Sequence, residues 1–463
     1  MKSTAPVKKN QQLDVTITDL TFQGLGLAKV DDFSLFIENA LPGEEVTIQV
    51  TKVQKHYGFA RVVAFKTKSP DRVADVDKTY RQTGIAPLQH LSYPAQLAFK
   101  QNQIEELFKK AHVAVEVAPT LGMDHPTQYR NKAQVPVRMI KGKLETGFYR
   151  QHSHDLIPLE DFYIQDPEID KAIIKVRDLL RQFEIPAYDE INDKGVIRNI
   201  MVRRGYYSHE MMIVLISRQQ KLPSQTQLVE QIQQALPEVK SIILNVNAKR
   251  TNVIMGNVTR VLYGKPTIED QLMGLTFAIS ARSFYQVNPQ QTEKLYQMAI
   301  DKAGLTGNET VIDAYCGIGT ISLALAKHAK QVYGVEIVPE AIEDAKVNAQ
   351  KNHLTNVEFA VNKAEDQMAK WQEDGIKPDV IVVDPPRKGL APSLIESAAK
   401  MAPHKVVYVS CNPSTLVRDV AHFEELGYEI DGAIQPVDQF PQTPHVESVT
   451  VLKRTENNVR MPV

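Results

Sequence analysis

The chain has 463 residues, 43% of them hydrophobic, and a formal net charge of -1. A length of this order exceeds one hydrophobic core and implies two to four domains. The N-terminus has no secretory h-region and no stretch nears the ~20 apolar residues that span a bilayer. Only two cysteines occur, far apart. These features argue against a membrane protein, a disulfide scaffold and a cysteine-held metal centre, and favour a reducing cytoplasm.

Residues 12 to 66 read as short strands ("LDVTITDL", "GLGLAKV", "FSLFIEN", "EEVTIQVTKV", "YGFARVVAF") punctuated by Gly24, Gly26, Gly43 and Gly58. Strands at this spacing predict a small β-barrel, assigned to residues 1–68. Ser69 to Asp77 reads as a linker. A helix follows over 94–112, with Ile104, Leu107, Phe108 and Ala111 at i, i+3, i+4 and i+7. It is expected to pack on the last domain. Strand-like runs such as "KAQVPVRMI" and "MMIVLIS", with helices at Pro167–Phe183 and Gln225–Ala235, predict a central α+β domain over 69–277. Two basic stretches mark it. One holds Arg130, Lys132, Arg138, Lys141, Lys143 and Arg150 against Glu145 alone, and the other holds Arg198, Arg203 and Arg204 with no acid. Either could be a solvated strand face. Both together, with aromatic neighbours, point to a polyanion-binding surface, for which Arg130, Lys132, Arg198 and Arg203 are the candidates.

Residues 278–463 alternate strand and helix with apolar strands, which predicts a Rossmann-like α/β domain with a parallel sheet. Ligands of such sheets sit beyond the strand carboxyl ends. Four features converge there: the turn Asp313-Ala-Tyr-Cys-Gly-Ile-Gly319, Glu336 after the next strand, Asp384-Pro-Pro-Arg387 and Cys411. Glu336 is placed to accept from ribose hydroxyls. The missing third glycine disfavours a diphosphate cofactor and favours S-adenosylmethionine. Cys411 faces the crevice, and the helix starting near Pro413, with Arg418, is expected to lower its pKa. Cys316 is expected to pack beneath the glycines.

"FYQVNP", "DAYCGIGTISL", "GVEI", "DPPRKG", "SCNPSTL" and "PHVESV", in this order, resemble the RNA uracil-5-methyltransferases. Upstream, "YRNKAQ", "GFYRQHSHDLIP" and "RNIMVRRG" resemble that family's central RNA-binding domain, and "GLGLAKV" and "ALPGEEV" resemble the TRAM module of its ribosomal members. The resemblance implies methylation of uridine C5 in 23S rRNA, with Cys411 as nucleophile toward C6 and Glu447 as base for the C5 proton. It implies that Gln286, Tyr315, Glu336, Asp384 and Asn362 bind S-adenosylmethionine, and that Phe284 and Asn288 shape the uracil pocket. Many relatives hold an iron–sulfur cluster on four cysteines. The corresponding stretch here, "DRVADVDKTYRQTGIAPLQHLSY", has none. No cluster and no other metal are therefore expected, as in ribosomal members from Gram-positive bacteria. RNA is the expected partner, and the chain is expected to act as a cytoplasmic monomer without membrane or obligate protein partner. The alternatives are the T-loop uridine of tRNA and a non-catalytic RNA-binding or assembly factor.

Overall fold

The structure is a computed structural model that describes residues 5–455. Six strands form the N-terminal barrel: β1 (Gln12–Thr16), β2 (Asp19–Leu20), β3 (Gly26–Val30), β4 (Phe33–Glu38), β5 (Glu45–Val53) and β6 (Tyr57–Phe65), in the order β1-β5-β6-β4-β3-β2. Alternation along β4 and β5 turns Phe33, Leu35, Ile37, Val46, Ile48 and Val50 into the barrel core. Gly26 allows close passage, since a Cβ there would lie 2.8 Å from the Ala40 Cβ. The barrel is tied to the next segment through buried Glu44. Its carboxylate accepts from the Arg72 Nε at 2.5 Å and Nη2 at 2.8 Å.

A short helix α1 (Lys78–Thr83) and the long α2 (Tyr93–Lys110) lead to the central sheet. That sheet comprises β7 (Lys132–Ile140), β8 (Lys143–Tyr149), β9 (Leu156–Pro158), β10 (Ile197–Arg204), β11 (Met211–Ser217), β12 (Val239–Val246) and β13 (Val258–Gly264). The strand order is β13-β12-β11-β10-β7-β8-β9. Two helices, α3 (Pro167–Gln182) and α4 (Gln225–Ala235), cover one face with Ile169, Ile173, Val176, Leu228 and Ile232. Both begin and end within a residue of the periodicity reading.

Met201, Met212, Val214 and Ile216 project from the opposite face and meet a hairpin, β14 (Thr267–Leu272) and β15 (Leu275–Ser280). This hairpin straddles the boundary expected at 277/278. A two-stranded hairpin cannot bury its own apolar face. Ile268, Leu272, Phe277 and Ile279 therefore join the same core as Val311, Val382 and Val407 of the last domain.

That domain continues with α5 (Pro289–Ala303), β16 (Thr310–Ala314), α6 (Thr320–Ala326), β17 (Gln331–Glu336), α7 (Pro339–Lys351), β18 (Val357–Val361), α8 (Ala364–Glu373) and β19 (Val380–Val383). It ends with α9 (Pro392–Met401), β20 (Lys405–Ser410), α10 (Pro413–Glu425), β21 (Tyr428–Ile430), β22 (Gln435–Val437) and β23 (Glu447–Arg454). The sheet order is β18-β17-β16-β19-β20-β23-β21, parallel from β18 to β20, with β22 also paired to antiparallel β23. The order reverses between β16 and β19, which opens a crevice at their carboxyl ends. Ile104 and Phe108 of α2 are fully buried in this domain's core, beside Leu416, Val420 and Phe423 of α10. Among the described residues no helix is long and apolar enough to cross a membrane.

Candidate active site

The crevice is built on the turn after β16. Tyr315 adopts a left-handed φ of 74°, which costs a non-glycine residue strain. The amides of Tyr315 and Cys316 both donate to the Val335 carbonyl at 3.0 Å and hold the turn against β17. Gly334 lets Cys316 pack there, since a Cβ would stand 2.7 Å from the Phe359 ring and 3.1 Å from the Cys316 Sγ. Cys316 is buried, and burial pushes its thiol well above the usual range. It is a packing group, in line with the sequence reading. Beneath the turn, Asp313 accepts from the Ser322 hydroxyl through one oxygen, while the other, Oδ1, is buried without a partner. Burial pushes this carboxyl up to about 7, with Asp384 adding repulsion.

Glu336, half-buried at the end of β17, accepts from the Val338 amide at 3.0 Å. Its carbonyl accepts from the Asn362 amide at 3.1 Å, which places Asn362 on the same rim. Gln286 lies across the turn. Buried Tyr296 has its hydroxyl 3.2 Å from the Thr320 Oγ1 at the start of α6, and the Gln286 side chain acts on the same hydroxyl. The repulsion of Asp384 also reaches Tyr296. Tyr315, Glu336, Asn362, Gln286 and Asp384 thus border one crevice.

Cys411 and Glu447 follow from strand register. β20 and β23 end their ladder on the pair Ser410–Ser448, with Cys411 just past the end of β20 and Glu447 the first residue of β23, where it pairs with Val437 of β22. The two are close enough for the Glu447 carboxylate to repel charge on the Cys411 thiol. The Cys411 Sγ lies 3.8 Å from the Pro385 carbonyl, beside Asp384. Glu447 is 6% exposed, and burial, then Asp384, push its carboxyl well above the usual range. Burial alone pushes Asp384 up to about 7.

The expected activation of Cys411 is not present in this state. Its thiol is pushed up to about 12 by burial and by the Glu447 and Asp384 carboxylates, against which Arg387 acts. Asn412 does cap α10, with its Oδ1 accepting from the Ser414 amide at 3.2 Å. A helix terminus contributes only about 0.3–1 kcal/mol, which does not offset desolvation beside two acids. Arg418 gives no help, because it donates to Asp419 at 2.8 Å and to the Lys388 and Leu390 carbonyls. The cation that does act on Cys411 is Arg387, whose Nη2 lies 3.4 Å from the His445 Nε2.

The expected substrate contacts divide into two groups. Phe284 is 69% exposed, an open aromatic face next to Gln286. Arg130 and Lys132 are half-buried on the central sheet. Lys132 stands opposite Arg203 across β7 and β10. Burial and the cations Arg203 and Arg130 push Lys132 down to about 7. The others are committed within the fold. Asn288 is buried, caps α5 and donates to the Gln439 carbonyl at 3.0 Å. Arg198 donates to the carbonyls of Asn247, Lys249 and Thr251 and stacks on Tyr188, which makes it a loop brace. Arg203, 2% exposed, donates to the Ser283 carbonyl at 2.8 Å, with Nε and Nη1 left unpaired.

The sequence reading missed the polar contacts of α2 with the segment that leads into Glu447. Buried Lys100 pairs with buried Asp438, which also accepts from the Tyr93 hydroxyl at 2.8 Å. Gln96, Lys100, Ile104 and Phe108 form one buried stripe at four-residue spacing. Polar residues continuing an apolar stripe were the available signal.

The profile of the tRNA (uracil-5-)-methyltransferase family matches residues 92–455, and that of the TRAM domain matches residues 6–63. A protein of Lactiplantibacillus plantarum described as an RNA methyltransferase is 65% identical over 98% of this chain and 100% of its own length. Another so described, from Enterococcus faecalis, is 54% identical over 97% of this chain and 98% of its own length. Among solved structures, the Pyrococcus abyssi tRNA (uracil-54, C5)-methyltransferase in complex with S-adenosyl-L-homocysteine is similar with a TM-score of 0.75 and 27% identity. The similarity covers 95% of this chain and 99% of that one. The chain belongs to the tRNA (uracil-5-)-methyltransferase family and carries an N-terminal TRAM domain.

Proposed function

We propose that this family member methylates C5 of a uridine in RNA through a covalent bond between Cys411 and uracil C6. The observation that carries the reading is that Cys411 and Glu447 flank the last β20–β23 pair, Ser410–Ser448, with the Glu447 carboxylate acting on the Cys411 thiol. The crevice suits S-adenosylmethionine. Asp384 is desolvated and unpaired by cations, which suits a sulfonium, and the half-buried carboxylate of Glu336 at the end of β17 suits ribose hydroxyls. When bound, that cofactor supplies an electrophilic methyl group, and Gln286, Tyr315, Glu336, Asn362 and Asp384 are the residues that would hold it. A positive charge beside Asp384, Cys411 and Glu447 favours their ionised forms, which lowers the barrier to making the thiolate.

The thiolate of Cys411 adds to C6, and the electron pair of the C5=C6 bond moves into the enolate, so that C5 becomes nucleophilic. After C5 is methylated, the Glu447 carboxylate takes the C5 proton. The C5–H electrons re-form C5=C6, and the C6–S pair returns to Cys411 as thiolate. Phe284 offers a stacking face for the base, and Lys132 with Arg130 a cationic surface for the RNA backbone.

RNA bearing 5-fluorouridine at the target blocks the last proton removal. It is expected to give a gel-stable complex with the wild type and with Cys316→Ala, and none with Cys411→Ala. An equal complex from Cys411→Ala overturns the assignment.

For the substrate we favour 23S rRNA, on the cysteine-poor linker and the barrel that resemble ribosomal members. The second reading is a tRNA uridine. It is favoured by the Pyrococcus abyssi tRNA enzyme, whose similarity covers 95% of this chain. That coverage includes most of the barrel, so a barrel does not by itself separate the two substrates. Mass spectrometry of RNA from a deletion strain is expected to show 5-methyluridine lost from 23S rRNA and kept in tRNA; the reverse overturns the choice. The reading takes the enzyme as a monomer acting in the cytoplasm, with no iron–sulfur cluster. Stoichiometric iron in anaerobically purified protein would contradict the last point.

A further inference from the structure

The chain enters Glu447 through residues 438–446, the loop between β22 and β23. This loop runs along α2 and is tied to it at alternate positions. Asp438 takes Lys100 and Tyr93, and the Phe440 carbonyl accepts from the Lys100 Nζ at 3.0 Å. The Gln442 amide donates to the Gln96 Oε1 at 3.0 Å, and the Gln96 Nε2 lies 3.1 Å from the Gln442 Oε1. The Pro444 carbonyl accepts from the Gln103 Nε2 at 3.1 Å. Gln96, Lys100 and Gln103 stand at i, i+4 and i+7, one ridge of the helix. Gln439 points the other way, and its Nε2 donates to the Thr292 Oγ1 at 2.7 Å on α5.

Packing alone does not call for this ridge. An apolar pair in place of Lys100 and Asp438 would fill the same volume without removing two charges from water, and such exchanges are often neutral or stabilising. What the polar ridge adds is direction. Each hydrogen bond fixes one main-chain or side-chain atom of the loop, and the last of them lies three residues before Glu447. Cys411 follows directly on β20 and is held by that strand's ladders and by the Pro385 carbonyl, whereas Glu447 opens β23, paired with Val437 of β22, and is entered from the loop that the ridge holds. The turn after β16 is likewise held by β17.

We propose that Gln96, Lys100 and Gln103 are positioning residues that aim the Glu447 carboxylate at C5, so that the α2 ridge governs proton removal and not thiolate addition or cofactor binding. This rests on the reading of Cys411 and Glu447 given above. The step concerned breaks C5–H, delivers the proton to Glu447, restores C5=C6 and returns the C6–S electron pair to Cys411.

The test uses the full chain and a hairpin RNA whose target uridine carries deuterium at C5. Gln103→Leu leaves no buried charge behind. Lys100→Met is made together with Asp438→Leu for the same reason. Misplacement of a reacting group by about 1 Å costs on the order of a hundredfold. Both variants are therefore expected to lose ten- to hundredfold in turnover, to show a larger deuterium isotope effect than the wild type, and to accumulate a denaturation-resistant complex with unmodified RNA. S-adenosylmethionine affinity and the rate of adduct formation with 5-fluorouridine RNA are expected to stay within about twofold. Glu447→Gln is the reference and must trap the same complex. If it does not, the base assignment falls and this inference with it. If it does, while the two ridge variants lose turnover without an isotope effect, lose every step together, or lose nothing, the inference alone is overturned.

Discussion

Desolvation shifts ionisable groups in two regions, and the signs are opposite. Around the crevice Asp313, Asp384 and Glu447 are all pushed up by burial. On the central sheet Lys132 is pushed down to about 7 and Arg203 to about 10, again by burial first. The regions meet at residues 283–287, where the Ser283 carbonyl accepts from Arg203 and the Gln286 carbonyl accepts from Asn131. Lys100 and Asp438 are fully buried and satisfy each other. Paired buried charge organises the fold, whereas unpaired buried charge marks a place awaiting a ligand of opposite sign. In the proposed reading, a sulfonium answers the acids and RNA phosphates answer Lys132, while Arg203 stays bound within the fold.

The largest expected effect is on the acidic side. A thiol with its pKa raised to about 12 ionises tenfold more with each pH unit below that value. Alkylation of Cys411 by iodoacetamide, in a Cys316→Ala background, is expected to rise about a hundredfold from pH 7 to pH 9 without a plateau. Adding S-adenosylmethionine is expected to shift the profile to lower pH. A plateau near pH 7 in the free protein would mean that the neighbouring carboxylates do not govern this thiol.

On the basic side, Lys132→Met is expected to weaken binding of a target hairpin about tenfold. It should also flatten the slope of log affinity against log salt by about one. The sign with pH is fixed by direction. A lysine whose pKa is lowered to about 7 is charged below that value and neutral above it. RNA affinity of the wild type should therefore fall more steeply between pH 6 and pH 8 than that of the variant. Parallel curves would remove Lys132 from the interface.

The smallest effect is expected from the barrel. Lys66 is paired with Asp14 at 2.5 Å and Arg61 is hydrogen-bonded to Gln49 at 2.8 Å, so the free cations among the barrel's described residues are Lys8, Lys9, Lys29, Lys52 and Lys55, scattered along the chain rather than clustered. Deleting residues 1–66 should lower RNA affinity only a few-fold and flatten the salt slope by less than about two. S-adenosylmethionine affinity should be unchanged. Equal affinity and slope in both forms would assign the whole grip to the central sheet.

Much of the architecture was legible because it rests on local periodicity. The alternation of "EEVTIQVTKV" can bury Val46, Ile48 and Val50 only on one face. Pro167 and Pro413 open helices where a proline at the first turn forfeits no hydrogen bond. The boundary near 277 was not legible, since the hairpin 267–280 has strand periodicity whichever domain it joins. Its partner is decided by Met201 and Phe277, which meet only in three dimensions.

The sequence by itself determined which chemical groups this protein can use. One thiol at a strand end, one carboxylate in "HVESV" and a glycine turn after a buried strand are covalent facts of the chain. Tertiary structure decided what state those groups occupy. The pKa of Cys411 depends on Glu447 and Asp384, which arrive from other strands, and their repulsion together with desolvation outweighs the helix terminus next to it in sequence. Arg198 and Arg203 look like free cations in a string of letters, yet main-chain carbonyls from distant segments claim them. Lys100 looks like a solvated helix residue, yet it is buried against Asp438. Electrostatic energy depends on distance and on exclusion of water, and neither quantity is written along the chain.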